Sequence, residues 1–137
     1  MIYESDDDRK RENEVADVVA IAWHCRQVKR EDLDCIDREL QREWKTVAYL
    51  EIKCRNNPST KYAYYMIDAA KLRGGFRVAE KEGKPFFLAV KFTDGIFWTR
   101  VTEEKLSLEG TGGRTDRGDP NDIEKCCYIP MTLWRRI

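Results

Sequence analysis

The sequence predicts an α/β (α+β) fold in which a mixed sheet is flanked by helices, in the order α-β-β-β-α-β-β. Three observations carry this. The chain has 137 residues, 42% of them apolar, enough to bury one core. Two segments, at about 5–24 and 60–82, space their apolar residues as helices do. Between and after them lie short runs rich in β-branched and aromatic residues, as strands are. Helices alternating with strands in a chain of this length imply one domain over 1–137.

Taken in order, the first helix is opened by Asp6, Asp7 and Asp8, whose charges suit a helix N-terminus. Its expected core stripe is Val15, Val18, Val19 and Ala22, bordered by Glu12, while Glu14 points elsewhere. "HCRQVKR" (24–30) and "LDCIDREL" (33–40) read as strands, followed by a turn at "QREW". "TVAYLEIKC" (46–54) is the strongest strand, and Pro58 stops it. The second helix, 60–82, is expected to be capped by Ser59 or Thr60 and to present Tyr65, Ala69, Leu72, Phe76 and Ala79 on one side. "PFFLAVKF" (85–92) is a nearly continuous apolar run, as a strand covered on both faces would be. Asp94-Gly95 turns it into "IFWTRV" (96–101), a hairpin. Residues 103–122 are polar and glycine-rich and read as a flexible loop. The closing "CCYIPMTLWRRI" is expected to dock back on the core.

Charge and composition exclude several classes. Lysine plus arginine and aspartate plus glutamate number 25 each, so no global field attracts nucleic acid, and any such binding needs a local surface or metal ions. No apolar run is long enough to span a membrane, and "MIYESDDDRKREN" has no signal core, so a soluble, intracellular (cytoplasmic) protein is expected. Five cysteines, without a CxxC pair and with His24 as the single histidine, read as reduced structural thiols. "GTGGRT" lacks the lysine and Ser/Thr of a phosphate loop, which excludes an NTPase of that type.

The chemistry lies in "YLEIKC". Residues i and i+2 of a strand share a face, so Glu51 and Lys53 leave the sheet together while Leu50, Ile52 and Cys54 face the other layer. Antiparallel pairing of 33–40 with 46–54 brings Asp37 near Glu51. Two converging carboxylates repel unless a cation neutralises them. Hard oxygen ligands suit Mg²⁺, with Mn²⁺ as a substitute. Lys53 cannot ligate an ion, but it can orient an attacking water or stabilise charge growing on a phosphate. Acid, acid, lysine and metal together describe phosphodiester hydrolysis.

These pieces, Asp37 in "CIDREL", Glu51-Ile52-Lys53 in "VAYLEIKCRN" and Lys71 in "YYMIDAAKLRGG", resemble the PD-(D/E)XK nuclease superfamily. Within it the chain looks like compact phage and archaeal Holliday-junction-resolvase-like members. The residue before Asp37 is Ile36, where the family's name has proline. The resemblance implies a restriction-endonuclease-like α-β-β-β-α-β core, a divalent metal and a DNA substrate. It implies a catalytic group of Asp37, Glu51, Lys53 and Lys71. It also implies metal ligation by Glu12 (Glu14 the fallback), Asp37, Glu51 and the carbonyl of Ile52. A branched substrate would call for two such sites at a fixed spacing, as a symmetric homodimer supplies. The alternative reading is a non-catalytic DNA- or protein-binding module that keeps the nuclease fold.

Overall fold

The structure is a computed structural model that describes residues 6–29, 36–113 and 123–137. A six-stranded mixed sheet runs in the order β1 (Arg26–Lys29), β2 (Arg38–Arg42), β3 (Lys45–Cys54), β5 (Phe86–Phe92), β6 (Gly95–Arg100) and β9 (Arg135–Arg136). Its neighbours are antiparallel except at the centre, where β3 and β5 run parallel, Glu51 beside Leu88. A parallel pair needs a crossover. Here β4 (Tyr64–Asp68) and helix α2 (Ala69–Lys81) supply it. A second sheet, β4-β8-β7, joins β4 to β8 (Ile123–Pro130) and β7 (Glu109–Gly113).

Two apolar clusters lie on the two faces of the central sheet. One side is covered by helix α1 (Asp6–Ala22), whose Val15, Ala16, Val19 and Ala20 pack on Leu40, Leu50, Ile52 and Ala89. The other is covered by α2 and the small sheet, with Leu72, Tyr65, Ile67 and Ile129 packed on Tyr49, Leu88 and Val90. Consecutive residues of β3 and β5 alternate between the clusters, as strands covered on both faces must. Glu43 and Trp44 turn β2 into β3 with positive φ (49° and 68°), the conformation of a primed two-residue hairpin turn.

Several sequence expectations are corrected. The buried stripe of α1 is Val15, Ala16, Val19 and Ala20, while Val18 and Ala22 are exposed. In "VADVVAIA" nearly every position is apolar, so the pattern leaves the rotation of the helix open. The helix expected from residue 60 begins at Ala69 instead. Tyr64–Asp68 is a strand with strictly alternating burial, paired residue for residue with β8. Asp68 ends it and caps α2, its carboxylate accepting from the Ala70 and Lys71 amides.

Part of the segment expected to be a flexible loop is also regular. Thr102 caps a short helix α3 (Glu103–Leu106), and β7 pairs with β8. The remainder of that expected loop, 114–122, lies outside the described residues, as do residues 33–35 of the second predicted strand. The chain end closes on the sheet through β9, which pairs with β6, and through buried Trp134.

Candidate active site

The site forms where β2 stops short of β3. Their pairing begins with Arg38 opposite Leu50, so the preceding residue, Asp37, comes level with Glu51 at a bend before the strand. The Ile52 amide donates to Asp37 Oδ2 at 3.0 Å. A residue's N–H and C=O leave a strand on the same edge. The Ile52 carbonyl therefore also points toward Asp37, past the end of the ladder with β2.

Glu51 stands on the α2 side of β3 and is 2% exposed. Lys71 Nζ, from the first turn of α2, lies 3.3 Å from Glu51 Oε1, and Lys53 Nζ lies 3.6 Å from the same oxygen. Both ammonium groups keep contact with solvent, at 28% side-chain exposure for Lys53 and 38% for Lys71. Among the described residues neither Glu51 oxygen has a hydrogen bond of good geometry. Burial is the main force on its ionisation, and the Asp37 charge adds to it. The two lysines pull the other way but do not win, and the carboxyl is pushed up to about 7. Burial disfavours the Lys71 charge, yet Glu51 and Asp37 outweigh it and hold its pKa above the usual lysine value. Lys71 therefore stays an ammonium at neutral pH.

The structure thus brings Asp37, Glu51, the Ile52 backbone, Lys53 and Lys71 into one place. Glu12 lies on the α1 side, partly buried beside Val15 and Ala16 in helical register. Its charge is felt at Cys54, whose thiol is raised first by burial and then by Glu12. Glu14 is exposed. No group of three or more His, Cys, Asp or Glu side chains able to hold a metal occurs among the described residues.

The residues that are gathered nevertheless fit a hard cation. Asp37 lies near enough to Glu51 to help raise its pKa, and the buried Glu51 has no hydrogen bond of good geometry among the described residues. The Ile52 carbonyl leaves the strand on the edge where Asp37 is bound. Mg²⁺ needs no closed cage, because it binds through one or two carboxylates and keeps several waters.

Tyr65 had no place in the sequence-derived site. It is buried in the α2-side cluster, and its hydroxyl has no hydrogen bond of good geometry among the described residues. Burial pushes its pKa to about 12, with Arg55, whose guanidinium lies 5.2 Å from the ring, acting against the shift. Nothing local in Tyr64–Asp68 marks it as a strand, because the alternation there is one of burial and not of residue type. The arginines of α2 are paired, Arg73 with Glu109 and Arg77 with Glu80 and Glu103.

A family model described as "Phage putative PDDEXK endonuclease" matches residues 1–137. The chain belongs to that phage PDDEXK endonuclease family. Its fold is similar to that of Archaeoglobus fulgidus Hjc, a Holliday junction resolvase from an archaeal hyperthermophile. The two share 15% identity with a TM-score of 0.59, covering 93% of this chain and 90% of the resolvase. No curated protein matches. PD-(D/E)XK nucleases generally use divalent metal ions, and membership places this endonuclease-family chain among enzymes of DNA phosphodiester hydrolysis. Among the described residues no helix is long and apolar enough to cross a membrane.

Proposed function

We propose that this endonuclease uses Mg²⁺, with Mn²⁺ as a substitute, to cut DNA at branched or otherwise structured sites. In this reading Asp37, Glu51 and the Ile52 carbonyl are ligands. Glu12 is the further carboxylate this reading would add, and from the α1 side it would have to act through the ion's retained waters. The observation that carries the proposal is Glu51, a buried carboxylate whose pKa a second carboxylate helps to raise and whose oxygens have no hydrogen bond of good geometry among the described residues. A carboxylate so placed costs stability unless a cation satisfies it.

A divalent ion there supplies Lewis-acid charge to the scissile phosphate. The chain's own residues do the rest. Glu51 and Asp37 fix the position of that charge relative to the sheet. Lys53 sits 3.6 Å from Glu51 Oε1 and remains partly open to solvent, suited to holding the attacking water in line with phosphorus. Lys71, kept protonated by its acidic neighbours, acts as a fixed positive charge for the phosphate oxygens as they gain charge. α2 roofs the site, so both ammonium groups reach the same oxygen from different elements. Similarity to a junction resolvase supports branched DNA as the substrate class, and cutting both arms of a junction would need a homodimer.

The test is cleavage of four-way-junction, single-stranded and duplex DNA with Mg²⁺, Mn²⁺ or Ca²⁺, by the wild type and by Glu51→Ala and Lys53→Ala. Cleavage with Mg²⁺ and Mn²⁺, lost in both variants, is expected. Activity that survives both substitutions removes the assignment.

A further inference from the structure

Beyond the catalytic row, the same face of the molecule opens into a groove of about 650 Å³ along the free edge of β4. Arg55 stands at its near end. The Arg55 amide donates to the Lys91 carbonyl, so the chain still tracks β5 two residues past Lys53. By strand alternation Glu51, Lys53 and Arg55 form one line, each roughly 7 Å from the next. The groove therefore begins where the catalytic row ends. Tyr62, Tyr64 and Met66 line it with large exposed surfaces (61%, 54% and 47%), and Tyr128 lies across from Met66 on β8.

The platform shows signs of being built. A Cβ placed on Gly110 would come within 2.6 Å of the Tyr128 ring, so the glycine is what lets that ring lie close on β7. Charge is arranged in the same sense. No aspartate or glutamate is among the described residues lining the groove. Arg55 lies over the Tyr65 ring, and Lys61 Nζ is 5.3 Å from the Tyr62 ring. The nearby Asp94 carboxylate is engaged by the Ser59 amide and hydroxyl.

We infer that this groove binds unpaired DNA nucleotides, stacking their bases on Tyr62, Tyr64 and Tyr128 while Arg55 and Lys61 hold the phosphates. Exposed rings beside cations are the surface that single strands use, because every unpaired base offers a π-face. In a duplex those faces are already covered by neighbouring pairs. The continuous line from Glu51 to Arg55 would pass a strand from the platform to the catalytic row. The choice of DNA as the polymer rests on the nuclease reading, which the groove then narrows to substrates with unpaired nucleotides next to the cut.

The experiment is fluorescence anisotropy in EDTA with a labelled oligothymidylate and with a blunt duplex of the same length. It compares the wild type, Tyr62→Ala/Tyr64→Ala and Tyr62→Phe/Tyr64→Phe. Removing two stacking rings is expected to weaken single-strand binding about tenfold or more. Phenylalanine should retain it, and duplex affinity should move less than about twofold in either variant by the same stacking argument. Wild-type single-strand affinity in the alanine variant would overturn the inference. So would an equal loss for both DNA forms, or sedimentation showing that the substitutions split a dimer and leave DNA affinity unchanged. No cleavage is needed, so a wild type that binds single strands through these rings but cuts nothing defeats the nuclease reading alone.

Discussion

The two faces of β3 divide the work of the molecule. On the α1 side, Leu50 and Ile52 are wholly buried among apolar partners. On the α2 side, at the same depth, Glu51 lies against two ammonium groups and feels the charge of a second carboxylate. One strand thus carries a face that contributes folding energy and a face that costs it. The sheet tolerates the second because the first, and the apolar ladder of β5 beside it, hold the backbone fixed. Sites that need charge in a dry place are commonly built at such a cost to stability.

The largest expected effect separates the faces by activity. Lys53→Ala should lower the cleavage rate by about two to four orders of magnitude, the range for a group acting on proton transfer or charge. The melting temperature should hardly move, because the side chain is partly exposed. On the opposite face, Leu50→Ala should cost roughly 2–5 kcal/mol in denaturant unfolding, since it deletes a fully buried side chain. Cleavage per folded molecule should change little. If Leu50→Ala abolished turnover in folded protein, or Lys53→Ala unfolded it, the division would fail.

Next comes a stabilising substitution on the catalytic face. Folding raises the Glu51 pKa from 4.5 to about 7. The folded state therefore holds this proton more tightly, and metal-free stability should fall as pH rises through that window. The cost is absent below the lower value and complete above the upper, at roughly 3 kcal/mol. In EDTA, Glu51→Gln should be more stable than the wild type at pH 8, with the advantage vanishing toward pH 4. An advantage independent of pH would point to packing instead. The smallest effect concerns α2, which carries Lys71. Asp68→Ala removes its cap and should cost about 1 kcal/mol.

What the sequence revealed of this site follows from how local each relation is. Glu51 and Lys53 share a face by the geometry of one strand, and Asp37 reaches Glu51 through one hairpin, so both relations could be read directly. Lys71 was found through resemblance, although its helix begins nine residues later than expected. The miss came from "YYMID", where residues compatible with either period run unbroken into α2. Only pairing with β8, some 60 residues further on, decides for strand. The small sheet, and with it Tyr65 and the tyrosine-lined groove, is non-local in the same way. β7 was hidden by its glycines, although Gly110 is what admits the Tyr128 ring. The rotation of α1, and with it the placing of Glu12 toward Cys54, was open because the C-terminal half of the helix, "VADVVAIA", is apolar at nearly every position.

The most direct test of the central claim is anomalous diffraction from crystals soaked in Mn²⁺. The account predicts a peak at roughly the 2.0–2.3 Å expected for a small divalent ion from carboxylate oxygens of both Asp37 and Glu51, on the side of the Ile52 carbonyl. An empty map there at saturating Mn²⁺, with Glu51 still held by Lys71 and Lys53 alone, would contradict it.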